Sequence, residues 1–262
     1  MRILISTALV GTLLAACGSS GGSSGEPVPT TVSRNTPAVS WGCTDDFCGI
    51  SYTEGVLELA DLPKDADLAY GAFEGAGSSS GEMLFAVERL ALGPGYSSTV
   101  SVALIRDEFG GTGVLYGRDF LSELPAGDTG YSGDYVGLVT NAANDNVIYV
   151  INGDASLSFD FGISSVLGAV GNRTVLGPSG DAAIGVTAGD VLMIGTVNSQ
   201  GLFSGVTEGG DISAMSVTDA QDGTFDGLIA GPDGFWVVGG LDFVHSRTGD
   251  DYLETGAFYL ED

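Results

Sequence analysis

Apolar residues recur at every second position through most of this chain, in short runs closed by glycine, proline or asparagine. Ala155–Phe161 reads ASLSFDF, with Ala155, Leu157, Phe159 and Phe161 on one parity and Ser156, Ser158 and Asp160 on the other. A period of two marks a strand with one face buried. Glu82–Glu88 sets Met83, Phe85 and Val87 against Glu82, Leu84, Ala86 and Glu88, and Ser98–Arg106 groups Val100, Val102 and Leu104. The same reading predicts strands over Thr112–Gly117, Tyr131–Thr140, Val147–Ile151, Ser165–Arg173, Ala183–Thr187 and Val191–Val197. It continues over Leu202–Thr207, Ile212–Val217, Gly223–Ala230, Phe235–Val244 and Tyr252–Leu260. Turn signals fall between them at Leu92–Tyr96 (LGPGY), Asn141–Asn146, Gly177–Asp181 and Gly231–Gly234 (GPDG). The strands begin about every 8–15 residues, the cadence of a sandwich or an up-and-down barrel. Leu121–Gly130 is a connector, since Pro125 and Gly127 break any helix there, and it marks a boundary.

One small unit repeats within the strands. Gly-x-aromatic-x-Gly occurs at Gly71-Phe73-Gly75, Gly133-Tyr135-Gly137, Gly201-Phe203-Gly205 and Gly223-Phe225-Gly227, with a partial copy at Gly256-Phe258. The glycines share a face with the ring, leave it room and let the strand coil, as a small closed barrel requires. Glycine makes up 43 of 262 residues, roughly twice its usual share.

Charge narrows the partners. Asp and Glu number 34 against 8 Lys and Arg. Such a surface repels phosphate backbones, so nucleic acid is excluded as a partner, and no polybasic segment could grip anionic lipid. The acidity serves solubility, or steers a cationic partner or divalent cations.

Met1–Ala16 carries one charge, Arg2, before an apolar run that is too short to span a bilayer and fits a secretory signal. It ends in Leu14-Ala15-Ala16-Cys17-Gly18, which resembles a bacterial lipobox. That resemblance implies cleavage before Cys17, acylation of Cys17 with palmitate-type chains, and an outer-membrane anchor, since Gly18 stands where an inner-membrane retention Asp would be. Residues 17–40 read as a tether, Gly/Ser-rich and then proline-bearing. A flexible tether of this length reaches on the order of 25 Å. Cys43 and Cys48 are the remaining cysteines. In an oxidising compartment they form a disulfide, with two free thiols as the alternative.

Gly223–Gly227 (GTFDG), Ile229–Gly231 (IAG), Val238–Gly240 (VGG) with Phe243, and Thr255–Leu260 (TGAFYL) resemble the closing strands of the transferrin-binding protein B family. The resemblance covers about Tyr131–Asp262. It implies an all-β fold: an eight-stranded antiparallel up-and-down barrel over 131–262, preceded by a smaller β "handle" over 41–130. It also implies a lipid-anchored surface protein of Gram-negative cells. Members that bind host transferrin carry two such lobes in longer chains, whereas this chain has length for one, so the ligand does not follow.

Little here points to catalysis, a cofactor or a metal. His245, the sole histidine, falls in a Val244–Gly249 stretch read as a turn, and no G-x-S-x-G accompanies it. Asp45/Asp46 and Asp250/Asp251 read as solvated loop charge. Asn144-Asp145-Asn146 lacks calcium-loop spacing. Trp41 and Trp236 read as packing residues. The sequence predicts a non-enzymatic binding module for a protein or small solute, monomeric and held to the membrane through its acyl chains. Its contact loops are Asn141–Asn146, Gly177–Asp181, Glu208–Asp211 and Ser246–Asp251. The alternatives are a structural envelope lipoprotein without a specific ligand, and residence on the periplasmic face.

Overall fold

Strands dominate because β-branched and aromatic side chains pack best on a pleated surface with one dry face. The structure, a computed structural model, describes strands β1 (Thr30–Arg34), β2 (Val39–Cys43), β3 (Cys48–Tyr52), β4 (Gly55–Glu58), β5 (Gly71–Glu74), β6 (Ser80–Gly93), β7 (Tyr96–Asp107) and β8 (Thr112–Arg118). From residue 121 onward it describes all but residues 122, 144–145, 179–182, 214–222 and 248–249. Side chains are described at 100, 102–104, 112–118 and 121, and from 123 on except at those gaps and at 183 and 246–250. Cys17, the Met1–Ala16 segment, Asp45 and Asp46 lie outside the described residues.

The second half closes on itself. Strands β9 (Asp128–Asn141), β10 (Val147–Asp160), β11 (Ser165–Leu176), β13 (Val191–Val197), β14 (Leu202–Gly209), β15 (Gly223–Ala230), β16 (Trp236–Arg247) and β17 (Asp250–Glu261) each pair antiparallel with the next, and β17 returns to β9. This is the expected eight-stranded up-and-down barrel. β12 (Ala183–Thr187) is a short ninth strand folded back on β11. The first half forms a five-stranded sheet in the order β1-β8-β7-β6-β5 and a three-stranded sheet β2-β3-β4. β1 falls within the stretch that composition assigns to the tether.

Several boundaries differ from the expectation. Val147–Ile151 and Ala155–Phe161 are one strand, β10, because pairing on both sides carries the backbone through Asn152–Asp154. Only Ile212 of the expected Ile212–Val217 strand pairs among the described residues, through a bridge to Ala188. In β6 the pairing slips between Met83 and Phe85, so Leu84 is an extra residue and the simple alternation of Glu82–Glu88 breaks there.

The lumen is lined from every stave by alternate residues. Phe159 meets Tyr131 and Phe203 edge-on at 5.5 and 5.2 Å between ring centroids, and Phe203 lies 6.1 Å from Phe225 and 6.4 Å from Phe258. The glycine spacing has a sharper use than the sequence suggested. Register sets Phe203 opposite Gly227, Phe225 opposite Gly205 and Phe258 opposite Gly239. Each ring therefore occupies the space above a glycine of the neighbouring strand; a Cβ at Gly227 would overlap the Phe203 ring.

Outside, the handle covers one side of the barrel. Val100, Val102, Leu104, Val114 and Tyr116 pack on Val136, Leu138, Leu228, Val238, Ala257 and Tyr259. Arg118 is buried between the two parts, donating from Nη1 to the Ile229 carbonyl and from Nη2 to that of Gln200 at 2.6 Å. Burial lowers its pKa to about 10. Tyr116 donates to Asp226 Oδ1 at 2.5 Å. Gly240 faces Val114 so closely that an added Cβ would stand 3.0–3.1 Å from its side chain.

Candidate functional site

Four barrel connections leave from one end: β9–β10, the β11–β12–β13 excursion, β14–β15 and β16–β17. The four segments expected to make contacts, Asn141–Asn146, Gly177–Asp181, Glu208–Asp211 and Ser246–Asp251, all belong to this end. Up-and-down topology brings them together, since every second connection of a meander emerges on the same rim. Among the described residues, backbone bonds join Asn141–Asn146 to Ser246–Asp251, and Glu208–Asp211 to the Gly189–Asp190 turn before β13. Ala142 N–H donates to the Asp251 carbonyl at 2.9 Å, Gly189 N–H to Asp211 at 2.7 Å and Gly210 N–H to Asp190 at 2.9 Å.

Beneath these loops the lumen turns polar. Glu254 lies on the inward parity of β17, in step with Tyr252, Phe258 and Leu260. Arg173 reaches the same place by a different route. On β11, Val166 and Val170 face inward, and strict alternation would send Arg173 outward. The pairing with β10 shifts between Asn152 and Asp154, and Asn172 takes φ 50°, in the left-handed region that asparagine tolerates. The extra residue flips the phase, so Arg173 and Val175 point in.

The carboxylate of Glu254 is fully buried and accepts four hydrogen bonds. Arg173 Nη2 donates to Oε1 and Oε2 at 2.5 and 2.6 Å, the Tyr135 hydroxyl to Oε1 at 2.7 Å, and His245 Nε2 to Oε2 at 2.9 Å. Arg173 and His245 side chains are likewise wholly inaccessible. Burial alone would push the Glu254 carboxyl up. The Arg173 guanidinium, with the His245 and Tyr135 bonds, outweighs it and holds the group at about 2. The Tyr135 phenol is driven well above its ordinary range, first by burial and then by the Glu254 charge.

Arg173 also links this cluster to the rim. Its Nη1 donates to the carbonyls of Gly189 at 2.7 Å and Gly210 at 3.0 Å, residues in two of the connections above. The guanidinium lies 5.7 Å from the Phe243 ring centre, and that ring contacts His245 at 4.8 Å. The arrangement is a buried prop: the Arg173–Glu254 pair fixes the underside of two loop segments. It offers no accessible nucleophile or base.

The individual expectations fare differently. His245 is not in a turn; it lies inside β16, since pairing with Tyr252 extends that strand to Arg247. Trp236 is buried against the handle-facing cluster, as read. Asp250 and Asp251 open β17, with Asp251 exposed. Cys43 and Cys48 stand directly opposite each other across the β2–β3 hairpin. The alternation marks Tyr135 only as a glycine-flanked ring and Arg173 and Glu254 only as strand residues, without a polar role. A charged residue on the inward parity of Tyr252–Leu260 is the signal that would have found Glu254.

Comparison with solved structures follows this architecture. The chain matches the isotype 1 transferrin binding protein B (TbpB) from serogroup B Neisseria meningitidis with a TM-score of 0.51 at 15% identity, covering 92% of this chain and 45% of that one. The fold is similar to that of TbpB. Intact Ap-TbpB, with N and C lobes, matches with a TM-score of 0.51 at 12% identity, over 89% of this chain and 46% of the other. A TbpB vaccine antigen from Haemophilus parasuis Hp5 gives 0.50 at 9% identity, over 88% and 45%. The chain thus spans a little under half the length of the TbpB structures it matches. No family model matches the sequence, and none of the curated proteins does. At these identities the likeness to TbpB is one of fold.

Proposed function

We propose that the protein is a lipid-anchored outer-membrane lipoprotein whose barrel presents a non-catalytic binding surface at its loop end, for a protein or a small solute. One observation carries this reading: a buried ion pair, Arg173–Glu254, is spent on holding loop carbonyls rather than on chemistry. Buried charge pairs seldom add stability relative to apolar packing, so one tied to loop positions fits a need for a fixed rim shape. The sole histidine is locked into the same cluster, which argues against acid–base catalysis there. TbpB is by name a binding protein for transferrin; the present chain shares its fold over less than half its length, and its ligand is left as protein or solute.

The anchor is Cys17, on the lipobox resemblance, with display on the cell surface. We also place a disulfide between Cys43 and Cys48. Directly paired antiparallel residues have Cα atoms about 4.5–5.5 Å apart, within the disulfide range of roughly 4.4–6.8 Å. Metabolic labelling with palmitate tests the anchor: label should enter the wild type and be lost in Cys17→Ser. For binding, a photo-crosslinking residue at exposed Ala142 on intact cells should give a discrete adduct. No adduct, together with an envelope weakened by deletion, would favour the structural lipoprotein instead.

A further inference from the structure

The barrel carries two apolar outer faces, and among the described residues only one is covered. Outward residues of β9, β15, β16 and β17 lie under the handle. On the other side, β11, β13 and β14 also point aliphatic side chains outward. Leu167 pairs with Ile194, and Ile194 with Val206, giving a straight cross-strand row. Leu192 is on the same face two residues from Ile194. Leu167 is 55% exposed, Leu192 49%, and Ile194 and Val206 47% each. Cross-strand neighbours stand about 4.5–5.5 Å apart, so the four make one continuous patch. Contiguous exposed aliphatic side chains of this kind, unlike singly scattered ones, are often tied to binding.

The surroundings decide what fits. Glu208 pairs with Leu192 and is exposed beside it, and Ser158, Thr196 and Ser204 complete the near rim. From Tyr131 to Asp262 the only basic residues are Arg173 and Arg247, and Arg173 is sealed in the lumen. We infer that this face of β11, β13 and β14 docks a cationic polypeptide segment, one that presents aliphatic side chains between Lys or Arg. The inference rests on the binding-module reading and adds a surface and a partner chemistry to it. A second copy fits poorly: each chain carries a net charge of −26, so two copies repel one another on approach. A bilayer fits poorly too, because anionic headgroups are repelled by so acidic a chain and by Glu208, and the rim residues Ser158, Thr196, Ser204 and Glu208 include no Lys, Arg or Trp to anchor it.

The test uses the full chain and two synthetic peptides of equal charge, one alternating Lys with Leu and one alternating Lys with Ser. Wild type should bind the Lys–Leu peptide at least about tenfold more tightly than the Lys–Ser peptide at physiological salt. In Ile194→Ser/Val206→Ser the preference should fall to about twofold or less, and Leu167→Ser/Leu192→Ser should reproduce the loss independently. A preference that survives in both variants overturns the inference. So does sedimentation of the wild type as a dimer that these variants dissolve, or patch-dependent binding to phosphatidylethanolamine–phosphatidylglycerol vesicles. Photo-crosslinkers at Ile194 and Ala142 on intact cells separate the two readings. A basic polypeptide captured from Ile194 supports the docking face. Adducts from Ala142 alone overturn it and leave the binding module standing. No adduct from either position removes both.

Discussion

Glu254→Gln is the most informative single change, because it keeps the side chain's shape and removes only its charge and one acceptor. In the wild type the carboxylate accepts two bonds from Arg173 Nη2 and one each from Tyr135 and His245, with no solvent access. The amide would turn an NH₂ donor toward these donors and leave the Arg173 charge buried without a counter-charge. Breaking a buried pair from one side costs about 3–5 kcal/mol. In a domain of this size each kcal/mol moves Tm by roughly 2–4 °C, so Tm should fall by about 6–20 °C. Acidity gives a second readout. The folded carboxyl titrates at about 2 against an ordinary 4.5, a difference worth about 3 kcal/mol. The folded value is the depressed one, so this stability is full above pH 4.5 and is lost as pH falls toward 2. At pH 3 less than half of it should remain. The gap between wild type and Glu254→Gln should therefore narrow on acidification. Guanidinium melts followed by both circular dichroism and Trp fluorescence, at pH 7 and pH 3, measure it. Arg173→Met alone should cost a similar amount, since it strands Glu254 and two loop carbonyls. Arg173→Met with Glu254→Met should cost less than either single change, because neither member of the pair is left buried without the other. A Glu254→Gln protein within about 1 kcal/mol of wild type at pH 7, with an unchanged pH dependence, would refute the reasoning.

Other outcomes follow from particular contacts. Gly227→Val should unfold the barrel or destabilise it by at least about 3 kcal/mol, because its Cβ would meet both the Phe203 ring and the Val238 carbonyl; Phe203→Leu should restore little, since the backbone clash remains, and urea melts show the difference. Gly240→Ala should loosen the handle by about 1–3 kcal/mol through its contact with Val114, with Val114→Ala recovering only part of the loss because the Val114 Cβ, 3.0 Å from the added methyl, remains, and limited proteolysis of β7–β8 reporting it. Asn172→Val should cost about 1–2 kcal/mol, since a β-branched residue resists φ 50°, whereas Asn172→Gly should be close to neutral; thermal melts of the two variants settle it.

Much of this protein is written in its alternation. The extents of β12, β13 and β15 match the pattern reading to the residue, because glycine or polar residues close each run of β-branched and apolar side chains. The Gly-x-aromatic-x-Gly units announced a curled sheet, since only a missing side chain makes room for a ring inside so narrow a lumen. Three things lay beyond that pattern. Which glycine shelters which ring depends on register between strands, a long-range property. Arg173 points inward only because pairing with β10 forces an extra residue at Asn172, and a one-residue slip reverses every later side chain. The outward aliphatics Leu138 and Leu192 look alike in sequence, yet the handle buries the first and leaves the second exposed. Local period fixes the faces of a strand; what lies against each face is decided by the rest of the chain.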